Sequence, residues 1–187
     1  MIPLSFFRNP DVLAVAKGLI GKALFTKIDG KLTGGVITET EAYAGIIDRA
    51  SHAYNGRRTA RTEVMYQAGG ISYVYLCYGI HHLLNAVTGE EGTPHAVLIR
   101  AIHPTHGIET MLERRKKKTL DLTLTNGPGA LAAALGIDLK HNGISLNSKE
   151  LWIAESDIQL GQIVAGPRIG VDYAGPDALL PYRFLAK

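Results

Sequence analysis

An Asp29-Gly30 pair between two strand-like runs is the feature that most constrains the fold of this chain. Aspartate followed by glycine is a strong signal for a two-residue β-hairpin turn, because both residues tolerate positive φ angles. We therefore predict a strand over residues 23–26 and an antiparallel return strand over about 32–42. Gly34-Gly35 within the return strand predicts a bulge or a close approach of a neighbouring backbone.

Three further runs resemble strands, and the first of them shows the alternation that is typical of half-buried strands. They cover residues 71–78, 82–88 and 96–102, and we predict a strand in each. Successive strand side chains point to opposite faces. In the first run this places Tyr73, Tyr75 and Cys77 on one face and Val74, Leu76 and Tyr78 on the other.

Cap residues predict three helices. Asn9-Pro10 predicts the start of the first, with Asn9 as its N-cap, and Gly21 its end. Residues 107–118 are expected to form a helix with a basic, solvated end, and residues 130–135 a helix that stops at Gly136. In the C-terminal part we predict short strands over residues 144–146 and 151–154. Residues 166–170 are expected to form a tight turn, whose backbone amides could meet a phosphate.

The length and composition indicate one globular unit. A chain of 187 residues suits a single domain over residues 1–187 that buries a core without disulfides or structural metal. Hydrophobic residues make up 46%, which excludes general disorder. The net charge of +3 is compatible with nucleic acid. The single cysteine, Cys77, is expected to be buried and inert.

No apolar run approaches the length that spans a membrane, and the first residues lack the order of a signal peptide. We therefore expect a cytoplasmic protein of bacterial type that does not bind membranes and lies at the nucleoid through DNA.

The return strand delivers two carboxylates, Glu39 and Glu41, to one face, and Tyr43 follows on the same parity. His52 comes soon after, and three arginines follow it. This pattern indicates a pocket that stacks a flat ligand, activates a water and holds phosphates. The alternative, given equal weight, is a strand end with solvated charges and a basic loop. The arginines are Arg57, Arg58 and Arg61.

Arg100 lies inside an otherwise apolar strand, where a charge is costly unless it is paired or faces a pocket. A metal site is disfavoured, because the adjacent His81-His82 pair would point to opposite faces of a strand and no cysteine pair accompanies it.

Taken together, these motifs resemble the alkyladenine, or 3-methyladenine, DNA glycosylases of animals and many bacteria. They run in order across almost the whole chain, and they are specific only in combination. The matching motifs are Glu39-Thr40-Glu41-Ala42-Tyr43, Ser51-His52, Gly56-Arg57, Tyr73-Val74-Tyr75, Tyr78-Gly79, Asn85, Val97-Leu98-Ile99-Arg100-Ala101, Asn126-Gly127-Pro128-Gly129 and Pro167 to Gly175.

The resemblance implies a role for each matched residue in catalysis. Glu41 is the expected general base that deprotonates the attacking water. Arg100 and the backbone carbonyl of Ile169 are expected to hold that water. No general acid is evident.

The resemblance also implies how the substrate is held. Tyr43 is expected on one face of the flipped base, with His52 and Tyr75 on the other. The backbone amide of His52 reads the base edge. Asn85 is expected to line the pocket floor and to disfavour the exocyclic amino group of guanine, unless it satisfies a neighbouring backbone group instead.

For the DNA itself, the resemblance implies that Tyr78 fills the gap left in the duplex. Arg57 and the turn around Gly170 are expected to hold the DNA backbone. The basic run 114–118 has no matched role, and Tyr73 is assigned to sheet packing.

The family fold is a mixed α/β (α+β) single domain with a curved antiparallel sheet flanked by helices. The expected activity is monofunctional hydrolysis of damaged purines from double-stranded DNA, by a monomer, without a cofactor, a metal or lyase activity. We do not expect a counterpart of the long N-terminal extension of the animal members.

Two other functions remain open on the sequence. A nucleic-acid-binding module without catalysis would not need Glu41 or Arg100 within apolar strands. A nucleoside hydrolase would not need an exposed Tyr78 or basic clusters outside the pocket.

Overall fold

The computed structural model describes all residues from Met1 to Lys187. Eight strands form one antiparallel sheet that curls, with the order β3-β4-β5-β2-β1-β6; β8 pairs with β2, and β7 pairs with β8. The strands are β1 (Ala23–Ile28), β2 (Lys31–Tyr43), β3 (Ser72–Cys77), β4 (His81–Thr88), β5 (His95–His106), β6 (Leu151–Ala154), β7 (Ile163–Gly166) and β8 (Arg183–Ala186).

Three α-helices pack on this sheet: α1 (Val12–Leu19), α2 (Ile108–Arg115) and α3 (Pro128–Leu135). A core of 28 buried hydrophobic residues takes side chains from α1, α3 and the central strands. The predicted fold class, mixed α/β with a curved antiparallel sheet flanked by helices, is confirmed. None of the helices has the length and apolar character needed to cross a membrane.

The predicted hairpin is present. Asp29 and Gly30 have φ angles of 53° and 74°, and the register from Ala23 opposite Val36 to Ile28 opposite Lys31 is unbroken. Two positive φ angles in a two-residue loop give the twist that flanking strands require. Both strands of the first pair are therefore confirmed, although β1 and β2 each extend beyond their predicted ends.

Gly34-Gly35 serves both predicted purposes. The register of β2 against β5 shifts between these two residues, and a Cβ on Gly35 would collide with the carbonyl of His103. Only glycine permits so close a backbone approach.

β2 is the organising strand, since it pairs with β1, β5 and β8. Its register against β5 also shifts on both sides of Glu39. At the same level, residues Glu39 to Glu41 pair with β8. The two carboxylates therefore lie at a three-strand junction, where the ladder is irregular and side chains are directed inward.

The predicted start of the first helix was wrong by two residues. Asp11, not Asn9, is the N-cap of α1, because its carboxylate accepts hydrogen bonds from the amides of Leu13 (2.9 Å) and Ala14 (3.0 Å). Asn9 instead accepts from the amide of Asp11 at 2.9 Å. The end of α3 at Gly136, which is left-handed, agrees with the prediction.

The C-terminal strands were predicted less well. β6 is confirmed, but residues 144–146 form only an isolated bridge between Ser145 and Ile71. β7 and β8 were not predicted. They nevertheless complete the sheet beside the carboxylates.

The basic end of α2 is not the solvated surface that was expected. Arg114 donates to Thr33 Oγ1 and to the carbonyl of Ala134, both at 3.2 Å. Arg115 donates to the carbonyl of Thr123 at 3.3 Å, and Lys117 pairs with Asp121 at 2.8 Å. These contacts tie the helix end to its neighbours, so only Lys116 and Lys118 are exposed within the run.

Candidate active site

A cleft of about 680 Å³ opens between the β3–β4–β5 end of the sheet and the loops that follow β2 and β7. It brings together every predicted site residue except Glu41, which lies buried behind the wall. The predicted residues that line it are Tyr43, His52, Arg57, Tyr75, Tyr78, Asn85, Arg100, Ile169 and Gly170.

Glu41 is completely buried, and each of its carboxylate oxygens accepts a hydrogen bond. The amide of Ile169 donates to Oε1 at 2.8 Å, and the hydroxyl of Tyr43 donates to Oε2 at 2.9 Å. Burial raises the pKa of Glu41, while Arg100, the Ile169 amide and Tyr43 counteract part of that rise. A carboxylate with a raised pKa is a stronger base than an exposed glutamate.

Arg100 joins the two carboxylates of β2. Its Nε donates to Glu39 Oε1 at 3.1 Å, and one terminal nitrogen lies 3.4 Å from Glu41 Oε1. The prediction that Arg100 is paired or faces a pocket is confirmed on both counts. Glu39 also accepts from Arg183 at 3.0 Å and lines a second cavity behind Arg100, so it is held by two guanidinium groups outside the main cleft.

The Ile169 segment contributes through an atom that the sequence did not indicate. The backbone amide, rather than the carbonyl, contacts Glu41. The water-holding role expected of the carbonyl stays a prediction.

Aromatic rings form one wall of the cleft. The rings of His52 and Tyr75 meet edge to face, with centroids 4.7 Å apart. Nδ1 of His52 lies 2.8 Å from the hydroxyl of Tyr73. Tyr73 is buried in a small hydrophobic cluster, as sheet packing requires, yet it also fixes the orientation of His52. Tyr73 lies two residues from Tyr75 on the same strand face, and this spacing was the sequence signal for its second role.

His52 is neutral at physiological pH. Burial, together with the nearby charges of Arg61 and Arg57, lowers its pKa to about 4. The guanidinium of Arg61 lies 4.7 Å from the centre of the Tyr75 ring.

Asn85 makes the backbone contact that was considered as the alternative to a selectivity role. Its Nδ2 donates at 3.1 Å to the carbonyl of Tyr73, which is its partner in the β3–β4 ladder. The side chain is buried at the cleft floor, and its Oδ1 receives no hydrogen bond from the protein. The proposed discrimination against guanine therefore stays a prediction.

Tyr78 stands at the rim of the cleft and is 89% exposed. The strand alternation used to place it does not reach this residue, because β3 ends at Cys77 and Tyr78 occupies a turn with φ 50°. Cys77 was expected to be buried, but it is half-buried and lines the cleft. The side chains at the end of β3 thus lie at the opening of the cleft rather than in the core.

The three arginines after His52 do not act as one cluster. Arg57 is exposed at the cleft and makes no ion pair. Arg58 is held by two hydrogen bonds to Glu63, at 2.9 and 2.7 Å, and lies over the Tyr66 ring. Arg61 is likewise exposed at the cleft without an ion pair, but its guanidinium lies over the Tyr75 ring, so Arg57 is the member of the group with neither an ion pair nor a ring contact.

No group of three or more histidine, cysteine, aspartate or glutamate side chains is arranged to hold a metal ion.

The sequence analysis missed the buried ion pair formed by Asp48 and Arg168, which lies behind Tyr43. The apolar and glycine residues around Arg168 gave a signal for a turn, but not for the partner.

Comparison with known proteins agrees with the sequence motifs. Residues 5–187 match the family described as "Methylpurine-DNA glycosylase (MPG)". A relative from Chlamydia felis is 52% identical over 99% of this chain and 95% of its own length. Relatives from Desulfitobacterium hafniense and Bacillus mycoides are 47% and 49% identical over 95% and 97% of this chain, and 91% and 94% of their own lengths. All three bear the name "Putative 3-methyladenine DNA glycosylase".

The depressed pKa of His52 predicts a specific loss of stability in acid. Between pH 6.5 and about 4 the unfolded chain takes up a proton that the folded chain excludes, so protonation favours unfolding. His52→Gln removes this group. Its free energy of unfolding should therefore fall less than that of the wild type between pH 7 and pH 4.5, by on the order of 2 kcal/mol. Urea denaturation at both pH values measures the difference, and parallel losses in the two proteins would contradict it.

Proposed function

The chain belongs to the methylpurine-DNA glycosylase family, and on this premise we propose that it is a monofunctional DNA N-glycosylase of base excision repair. In this proposal it flips damaged purines, such as 3-methyladenine and hypoxanthine, out of duplex DNA. It then hydrolyses the N-glycosidic bond and leaves an abasic site. The observation that carries the proposal is the buried Glu41 carboxylate, fixed by two hydrogen bonds and an ion pair directly behind a cleft lined with aromatic rings.

In the proposed reaction, Glu41 accepts a proton from a water whose oxygen attacks C1′ of the sugar. The bond from C1′ to the base nitrogen breaks, and its electron pair leaves with the base. An alkylated purine such as 3-methyladenine already carries a positive charge and departs as a neutral molecule. The negative carboxylate also stabilises the oxocarbenium-like transition state. General-base assistance of this kind contributes roughly 10²–10⁴ in rate.

The aromatic wall supports the extrusion of a base. Flipping a nucleotide costs a few kcal/mol, and less at a damaged pair. Each base–aromatic stack contributes roughly 1–3 kcal/mol. Tyr43 on one side and His52 with Tyr75 on the other therefore suffice to offset the cost. Because His52 is uncharged, it does not repel a cationic base.

The rim of the cleft supports contact with a duplex. Tyr78 is exposed and held on a tight turn, which suits a side chain that fills the gap in the base stack. Arg57 and the turn at Gly170, both at the cleft, are the proposed contacts to the DNA backbone. Neutralised phosphates release counterions, so binding should weaken as the salt concentration rises.

No lysine is among the residues that line the cleft. A lyase step requires an amine nucleophile that forms a Schiff base. The proposed activity therefore ends at the abasic site.

Glu41→Gln should abolish most of the excision while lesion binding persists. The side-chain oxygen of glutamine can still accept from the Ile169 amide, and the Tyr43 hydroxyl can reverse and accept from the new side-chain NH₂ group, so the geometry survives. We expect single-turnover excision to fall by at least roughly 100-fold, with an affinity for lesion DNA within a few-fold of the wild type.

The matched control is Glu39→Gln, which removes the neighbouring carboxylate on the same strand face. It should lose less excision than Glu41→Gln, because Glu39 is held by Arg100 and Arg183 and lines the second cavity, whereas Glu41 bonds to Tyr43 and Ile169, which line the cleft. A Glu41→Gln protein that excises within a few-fold of the wild type would make Glu39 the candidate base.

Asn85→Ser tests the proposed selectivity for adenine-like bases. If the amide crowds the position of the guanine amino group, a shorter side chain relieves the clash. The ratio of single-turnover rates on guanine-type and hypoxanthine lesions should then rise relative to the wild type. An unchanged ratio together with a lower melting temperature would assign Asn85 to the hydrogen bond with Tyr73 alone.

A further inference from the structure

Arg168 and Asp48 form an ion pair that is shielded from solvent behind the wall of the cleft. Their side chains are 0% and 1% exposed. The Arg168 guanidinium donates to both Asp48 oxygens, with Nη2 at 2.8 Å from Oδ1. The same two terminal nitrogens donate to the carbonyls of Ala42 (2.9 Å) and Asp177 (3.2 Å), whereas Nε is buried without an acceptor.

The guanidinium holds the end of β2. It accounts for the position of Tyr43 in two ways, because it bonds to the carbonyl of the preceding residue, Ala42, and lies 4.8 Å from the centre of the Tyr43 ring. The ring of Tyr182 lies 5.2 Å from the same carbon. A cation held over a ring in this way restrains the ring as well as attracting it.

Asp48 holds the loop that leads from Tyr43 to His52. Its Oδ2 accepts from the amide of Ala44, and its Oδ1 accepts from the amide of Ala50, both at 2.9 Å. The carboxylate thus ties both ends of this short segment to the guanidinium. Both aromatic sides of the proposed base site depend on the pair.

Arg168 also immediately precedes Ile169, whose amide donates to Glu41. Displacement of Arg168 would therefore move that donor. One buried ion pair thus connects a stacking ring, the His52 loop and a hydrogen bond to the proposed base.

Stability alone gives no reason for charges at this place. A buried ion pair can often be replaced by uncharged side chains of similar volume without loss of stability, whereas removal of one partner leaves a costly unpaired charge. The unsatisfied Nε adds to the cost of keeping the arginine. What an apolar pair could not supply is the set of directed bonds to Ala42, Ala44 and Ala50.

We infer that Arg168, paired with Asp48, is a positioning residue for base excision. It sets the Tyr43 ring and the Ile169 amide in place around Glu41 without touching the substrate. This inference rests on the proposed function, since it assigns a role within that reaction.

The test compares Arg168→Met, Asp48→Asn and the double variant with the wild type. Each single variant leaves an unpaired buried group and should melt at a lower temperature. The double variant removes both charges and should recover most of the melting temperature. Its single-turnover excision of hypoxanthine from a duplex should nevertheless stay roughly 100-fold below the wild type, as expected when reacting groups are misplaced by about 1 Å.

The dependence of excision on pH gives a readout that a merely structural role would not change. Loss of the Ile169 donor removes one group that favours the charged form of Glu41. The acid limb of the single-turnover pH profile should therefore move to higher pH in the double variant. A double variant that recovers both its melting temperature and wild-type excision, with the limb unmoved, would overturn the inference.

Arg168→Lys tests the inference if the double variant does not fold. Lysine keeps the charge next to Asp48 but cannot span Ala42 and Asp177 with a planar fork. It should fold, with reduced excision and the same shift of the acid limb, and wild-type behaviour would overturn the inference. A wild type that excises no lesion would remove the proposed function as well, whereas an active wild type with active variants removes the inference alone.

Discussion

The contact on which the site depends is the one between Arg100 and the two carboxylates of β2. Glu39 and Glu41 are both buried on one side of the sheet, where a charged side chain without a partner is costly. Arg100 arrives from β5, the strand that pairs with β2 along its length. The irregular register around Glu39 brings these groups together. The pairing of β2 with β5 therefore also brings Arg100 into contact with Glu39 and Glu41.

The surroundings divide the two carboxylates into different environments. Glu39 accepts from Arg100 and Arg183 at one oxygen, Oε1, and lines the second cavity. Glu41 is held by one arginine, one amide and the Tyr43 hydroxyl, and burial outweighs them in raising its pKa. Two identical side chains two residues apart are thus held by different groups. The raised pKa of Glu41 and its bonds to two residues that line the cleft are the physical ground for proposing Glu41 as the base.

The sequence predicted what local rules control. Asp29-Gly30 determined the hairpin, and the cost of an unpaired charge indicated a partner or a pocket for Arg100. Local rules failed where a competing residue nearby, or a segment distant in the chain, determines the structure. Asp11 displaced Asn9 as the helix cap, Tyr78 lay beyond the end of its strand, and the Arg168 pair joins segments that are 120 residues apart. No periodicity encodes such a contact.

The most direct test measures release of the damaged base from a duplex that carries one 3-methyladenine or one hypoxanthine. Single-turnover assays on this duplex, on the matching single strand and on the free nucleoside separate the possible activities. The account predicts base release from the duplex at a rate far above that from the nucleoside, with an intact abasic strand as product. Equal cleavage of the nucleoside would indicate a nucleoside hydrolase, and binding without release would indicate a DNA-binding module.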